Sequence, residues 1–351
     1  MSQLPQYVLV TGATGFIGAH VVDQLLSRGI KVRGTTRSLA KGDAMIKARP
    51  QYAGKLDFVQ IDDFDKLKDG KEQSSIFDEA VKGVDGIIHT ASPLTYNTTN
   101  NETELILPAI NGVLALLNAA ANTTTTTTTP IRRVVLTSSF ASIMDTTRRT
   151  PPYFTYTASD WNPLSYADAA APTTSAVIAY RGSKKFAELA AWAFLRDRRP
   201  TFDLVTLCPP MTFGPVVHPV ASVDQLNESN AMLWKVASGV TPLPVARVPF
   251  WVDVRDVARA HVEALVRPGA GGKRFLVAAP ERFTYGVVAE VVEEGFEWAR
   301  GRVRREEQVV DESCGVDGET AARELGLEYR RFRDTVTELV AQAADMEGAG
   351  L

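Results

Sequence analysis

Three glycines fall where a first strand gives way to a first helix. Thr11-Gly12-Ala13-Thr14-Gly15-Phe16-Ile17-Gly18 follows the short apolar run Tyr7 to Thr11 and opens the longer run Phe16 to Ser27. The first run reads as a buried strand. The second reads as a helix with Ile17, Val21, Val22, Leu25 and Leu26 on one face, ended at Gly29. Small residues at such a turn let the backbone approach a pyrophosphate. The helix N-terminus adds unpaired N–H groups and a dipole that favours an anion. Gly12, Thr14, Gly15, Phe16, Ile17 and Gly18 are therefore the expected phosphate contacts. The spacing is G-x-x-G-x-x-G, not the commoner G-x-G-x-x-G. Its position at the first strand-to-helix turn carries the argument more than the glycines do.

Apolar runs and amphipathic stretches keep alternating after this turn. Further strands are expected at Lys31 to Thr36, Leu56 to Ile61, Gly86 to Thr90, Val134 to Ser138 and Asp203 to Cys208. Helices are expected at Glu102 to Ala121 and Ala179 to Arg196. Repeated strand–helix–strand order predicts an α/β fold, a doubly wound parallel sheet with right-handed crossovers and helices on both faces. Thr123 to Thr129 is a threonine run that should end a helix, and Thr146 to Thr174 reads as one long loop. Beyond Cys208 the rhythm becomes irregular. Val252 to Val266, Tyr285 to Arg300 and Asp334 to Ala344 read as helices, and Arg274 to Ala278 as a strand. The expected division is a nucleotide-binding domain over 1–208, with 250–268 packing back on it, and a smaller substrate-binding lobe from 209–249 and 269–351.

Composition narrows the class. The 351 residues are 45% hydrophobic and 23% charged, which suits a sizeable core. A net charge of -3 gives no global field for nucleic acid. Two cysteines make no disulfide framework, and no signal-type segment is seen at the N-terminus, so a cytoplasmic protein off the membrane is expected. The histidines, His20, His89, His218 and His261, have no metal-ligand spacing, so no metal is expected.

The residues after the second strand select the cofactor. A carboxylate there would bind a ribose 2′-hydroxyl. Instead the chain runs Gly34-Thr35-Thr36-Arg37-Ser38, with Lys41 one turn further. Arg37 can pair with a 2′-phosphate through its fork of donors, and Lys41 adds charge, which favours NADPH. Asp62 and Asp63, after the third strand, are candidates for the adenine amino group.

Chemistry is expected at Tyr180-Arg181-Gly182-Ser183-Lys184. Tyrosine and lysine at i and i+4 share a helix face. A free phenol has a pKa of about 10, and a neighbouring ammonium lowers it. Tyr180 could then give a proton to a carbonyl oxygen as hydride arrives at carbon. Thr137-Ser138-Ser139 ends the fifth strand, where a serine hydroxyl can hold that oxygen. Adjacent strand residues point opposite ways, so only one serine should face the site.

Together these features resemble the extended short-chain dehydrogenases/reductases. The nearer likeness is to fungal NADPH-dependent carbonyl (methylglyoxal-type) reductases and plant dihydroflavonol reductases. It extends over His89-Thr90-Ala91-Ser92-Pro93, Pro108-Ala109-Ile110-Asn111-Gly112-Val113, Ser159-Asp160-Trp161-Asn162-Pro163, Gly182-Ser183-Lys184-Lys185-Phe186-Ala187-Glu188 and Val252-Asp253-Val254-Arg255-Asp256-Val257-Ala258. The resemblance implies a Rossmann fold and the reduction of a small carbonyl compound by a monomer or homodimer. It makes Ser139 the catalytic serine and sets Ser138 nearer the nicotinamide. It implies that Lys184 also binds the ribose, that Asn111 supports a water relay, that Thr90, Ala91 and Ser92 line the cofactor, and that Pro209 abuts the nicotinamide. Leu94, Phe140, Met144, Val177, Met211 and Phe213 are the candidate pocket walls. Two rival readings remain: a sugar-nucleotide epimerase or dehydratase with tightly bound NAD, and a non-catalytic NADP-sensing regulator.

Overall fold

The computed structural model describes residues 4–61, 75–92, 98–123, 130–148, 153–246, 248–310 and 312–348. In chain order the first half contains β1 (Tyr7–Thr11), α1 (Phe16–Ser27), β2 (Lys31–Thr36), α2 (Leu39–Lys47), β3 (Leu56–Gln60), β4 (Gly86–His89), α3 (Leu107–Asn122), β5 (Arg133–Thr137), β6 (Phe154–Tyr156), α4 (Tyr166–Ala170) and α5 (Ala176–Arg198). Then come β7 (Asp203–Cys208), β8 (Met211–Phe213), α6 (Glu228–Ala237), β9 (Trp251–Asp253), α7 (Val254–Val266), β10 (Arg274–Leu276), α8 (Tyr285–Gly295), β11 (Cys314–Val316), α9 (Glu319–Leu325) and α10 (Phe332–Glu347).

Seven strands form one parallel sheet in the order β3-β2-β1-β4-β5-β7-β10. The chain steps outward from β1 to β3, then returns to β4 on the other side of β1. That reversal opens a crevice at the carboxyl ends of β1 and β4, where ligands of such sheets bind. The strands read as apolar runs because both faces are covered. Val8, Val10 and Val32 pack with Val21, Val22 and Leu25 of α1 and Val257 and Val262 of α7. Leu9, Ile87, Val134 and Leu204 pack on the opposite side with Leu116 and Leu117 of α3 and Ala191 and Phe194 of α5. α3 is preceded by a π-helical turn, Glu102–Ile106. Pro108 has no N–H to offer the turn before it, which favours the wider winding there. Glu102–Asn122 is long and apolar enough to cross a membrane, but most of it is buried against α5 and the sheet.

Three sequence expectations change. Arg274–Leu276, placed in the smaller lobe, is the seventh strand of the main sheet, paired with β7. The segment 146–174 is more than a loop: Phe154–Tyr156 pairs with Cys314–Val316 across the chain, and Tyr166–Ala170 is a helical turn capped by Ser165. Val252 begins no helix but lies in β9, paired with β8. A separate cluster beyond the main sheet is aromatic: Phe213, Trp251, Phe283 and Phe332 meet with ring centroids 4.8–6.1 Å apart.

Candidate active site

The glycine turn is held from below by side chains of neighbouring strands. Gly12 has φ +65°, and a Cβ there would lie 3.0 Å from the Ala91 amide nitrogen and the Thr90 hydroxyl. The Gly15 N–H donates to the Gly12 carbonyl at 2.9 Å. A Cβ on Gly18 would fall 2.2 Å from the same carbonyl, so only glycine lets α1 start this close to the turn. No side chain caps α1, and its first turn carries no acid. Its N-terminal amides are thus available to an anion at the end of β1, as a pyrophosphate requires. Arg37 is exposed just beyond β2, and Lys41 is exposed in the first turn of α2. The donor set therefore fits a phosphorylated ribose better than a free 2′-hydroxyl. Asp62 and Asp63 lie outside the described residues.

Thr90 and Ala91 lock β4 to the turn. The Thr90 hydroxyl donates to the Thr11 carbonyl at 2.7 Å, and the Ala91 N–H to the Thr11 hydroxyl at 3.2 Å. His89 sits below them, buried, with Nδ1 2.7 Å from the same hydroxyl. Burial, aided by the Lys184 charge, pushes its pKa down to about 3, so it is neutral and packed. Pro209 follows β7, and its carbonyl accepts from the Phe140 N–H at 2.9 Å.

The two serines after β5 diverge as strand alternation requires. Ser139 is half-buried, caps a short 3₁₀ turn by accepting from Ala141 N–H at 3.1 Å, and hydrogen-bonds Tyr180. Ser138 is buried and points the other way, its hydroxyl donating to Glu188 at 2.5 Å. Ser138, which the family likeness sets nearer the nicotinamide, thus turns its side chain to Glu188 and away from the face of Ser139.

α5 carries Tyr180 and Lys184 on one face. Burial raises the Tyr180 phenol above its ordinary value; the Ser139 hydrogen bond pulls it back and the Glu228 carboxylate adds to the rise. The expected lowering by Lys184 is not seen. The ammonium lies 5.8 Å from the Tyr180 ring centroid and donates to the Ser92 hydroxyl at 2.8 Å. Burial brings Lys184 itself down to about 8, with Cys208 and then Glu188 opposing. Beside it lies a small cavity of about 20 Å³, whose α3 wall is Pro108, Ala109, Gly112 and Val113. Asn111 is half-buried on the same helix.

A family model described as the NAD dependent epimerase/dehydratase family matches residues 8–278, from the first strand to beyond β10. The chain belongs to this family. Among family relatives, a ketoreductase of Aspergillus niger is 34% identical over 98% of this chain and 100% of its own length. An NADPH-dependent methylglyoxal reductase of Saccharomyces cerevisiae is 31% identical over 97% of this chain and 99% of its own. The crystal structure of a yeast methylglyoxal/isovaleraldehyde reductase complexed with NADPH superposes with a TM-score of 0.86, at 30% identity, covering 97% of this chain and 99% of that one.

Within the family framework the pocket candidates separate. Phe140 is enclosed by Tyr156 and Phe250, with centroids 5.4 and 5.5 Å away, and Phe213 is fully enclosed in the lobe core. Neither is open to a substrate. Met144 and Met211 are half-buried against these clusters, and Val177 is 47% exposed three residues before Tyr180. Leu94 lies outside the described residues. Two residues C-terminal to β8 that sequence reasoning missed reach the site's field. Glu228, in the first turn of α6, raises the pKa of Tyr180, and it adds to the burial that pushes Tyr285 up to about 12. Nothing in the local sequence relates either to Tyr180. The third omission, Glu188, was legible as one more i+4 step along the Tyr180–Lys184 face.

Proposed function

We propose that this protein reduces an aldehyde or ketone to the alcohol with NADPH. The observation that carries the reading is the Ser139–Tyr180 hydrogen bond at the end of β5, with Lys184 one turn behind. Arg37 and Lys41 would hold the 2′-phosphate, and the α1 N-terminus the pyrophosphate. Bound there, NADPH supplies hydride to the carbonyl carbon. Ser139 and Tyr180 hydrogen-bond the carbonyl oxygen and orient it. The buried phenol is protonated near neutrality and therefore serves as donor; Tyr180 passes its proton to the oxygen as negative charge develops. The Lys184 ammonium, one turn behind Tyr180 and charged below about pH 8, donates to Ser92 and would bind the ribose hydroxyls of the cofactor. The missing acid after β2 speaks against a tightly held NAD, and so against epimerase chemistry. A cytoplasmic site of action belongs to the same reading, since a chain with two cysteines carries no disulfide framework.

The test is NADPH oxidation against aldehydes, diketones, β-ketoesters and aryl ketones, with NADH in parallel. Tyr180→Phe is expected to lose about 10²-fold or more in kcat while its NADPH Kd, from nucleotide fluorescence, stays within about threefold, under half the 1.4 kcal/mol of a tenfold change. Undiminished turnover in that variant would remove Tyr180 from the mechanism.

A further inference from the structure

Glu188 lies one turn beyond Lys184 and two beyond Tyr180 on the same face of α5, and its side chain is 1% exposed. Hydrogen bonds converge on its carboxylate from several elements. Ser138 at the end of β5 donates at 2.5 Å, Ser142 at 3.1 Å, Thr206 of β7 at 2.7 Å and Trp192 of α5 at 3.3 Å. Arg274 of β10 forks onto it at 2.7 and 3.1 Å. The guanidinium then reaches outward. It donates to the carbonyls of Ala158 at 2.7 Å and Asp160 at 2.6 Å, and lies 3.8 Å over the Trp161 ring. One buried carboxylate therefore ties the helix of Tyr180 to the strand end of Ser138 and Ser139 and, through Arg274, to the loop after β6.

A second observation concerns Lys184. Lys184 and Glu188 are both walls of a small cavity of about 20 Å³, together with Ser92, His89 and Ser138. That space suits a single water. The titratable groups around it can be taken element by element. His89 of β4 is neutral, held near 3 by burial. Cys208 of β7 is pushed up to about 12 by burial, so its thiol is neutral too. Arg274 of β10 is positive, and Tyr180 of α5 is a neutral phenol. Among these described residues, Glu188 is the negative charge facing Lys184. A well-packed apolar residue would stabilise such a core at least as well as a buried ion pair, so packing alone does not account for the carboxylate.

We infer that Glu188 is a positioning residue: across the cavity it keeps Lys184 charged and it fixes the Ser138–Ser139 strand end, while Arg274 couples it to the loop at 158–161. This inference rests on the reductase reading proposed above and goes beyond it.

The test uses the full chain, with Glu188→Gln, Arg274→Gln and Glu188→Asp. The Lys184 side chain is followed by NMR in protein carrying ¹³C at the lysine ε-carbon and assigned with Lys184→Arg; kcat and KM are measured against pH. Glu188→Gln is expected to lower the Lys184 midpoint by about one unit. The alkaline limb of kcat should move down with it, and kcat should drop more than tenfold while the NADPH KM stays within twofold. Arg274→Gln removes the opposite charge and should move the midpoint up. Glu188→Asp should recover part of the kcat. A purely structural role would shift both glutamine variants the same way, or leave the midpoint where it is; either result overturns the inference. If Glu188→Gln does not fold, Glu188→Gln/Arg274→Gln, which leaves no unpaired buried charge, is compared with Arg274→Gln; its Lys184 midpoint should lie below that of Arg274→Gln, and equal midpoints are fatal. Wild-type protein silent on every carbonyl would sink the reductase reading, and the NMR midpoint would still decide whether Glu188 holds the charge on Lys184.

Discussion

At the scale of single residues, the site is built from side chains whose direction matters more than their identity. Ser138 and Ser139 are the same residue side by side, yet one hydroxyl meets a buried carboxylate and the other a phenol. Strand alternation decides this, which is why the sequence allowed only one to face the cleft but left the choice open until a family likeness was invoked. Gly18 is the sharper case. A methyl group there would sit 2.2 Å from the Gly12 carbonyl, and backbone cannot move aside as a flexible side chain can. Gly18→Ala should destabilise the protein by about 1–3 kcal/mol through overpacking and weaken NADPH binding at least tenfold, because the helix start must retreat from the turn. Thermal melting and nucleotide fluorescence titration check both. Unaltered affinity in a less stable protein would mean that the turn relaxes without disturbing the anion seat.

Among the elements, those legible in the sequence are the ones whose pattern is local. β1, β2 and β7 match their expected bounds; in β1 and β7 the signal is the mostly apolar run of a parallel strand covered on both faces. β6 and β11 are three residues each and owe their existence to partners in a distant part of the chain, so no local pattern marks them. The same logic separates Glu188, which repeats the spacing of Tyr180 and Lys184, from Arg274, whose meeting with it only the fold reveals. α4 shows how closely a short element can pack on the helix of Tyr180. It is five residues long, and Ala169 packs where Gly182 of α5 has no side chain: a Cβ on Gly182 would lie 2.3 Å from the Ala169 Cβ. Gly182→Ala should push α4 outward and leave the longer, better-anchored α5 in place. The KM for a carbonyl substrate is expected to rise severalfold while NADPH affinity holds; an equal loss in both would show that α5 itself had shifted.

For the whole molecule, the four histidines make acid stability a readable property. His89 and His261 are 2% and 0% exposed, and burial holds them at about 3 and about 4 against an ordinary 6.5. His261 joins β5 to α7: its ring nitrogens meet the Thr137 hydroxyl at 2.6 Å and the Val257 carbonyl at 2.8 Å. His20 and His218 are likewise lowered by burial, where the lobe meets α1. Between pH 6.5 and about 4 the unfolded chain binds protons at these positions that the folded chain refuses. Stability therefore rises with pH across that window, by about 1.4 kcal/mol per unit for each proton fully excluded. It is complete above pH 6.5 and is lost as pH falls toward the folded values. Buried carboxylates held low, Glu188 and Asp253 among them, extend the loss to more acid pH. Urea unfolding midpoints should be level above about pH 7 and fall steeply below 6.5. His261→Gln should lower stability at pH 7 by removing a buried junction, yet give a shallower decline on acidification, since one excluded proton is gone. A midpoint unchanged between pH 7 and 5 would mean that these imidazoles are hydrated and titrate freely, and that the packing around His20 of α1 and His261 of α7 is looser than the structure has it.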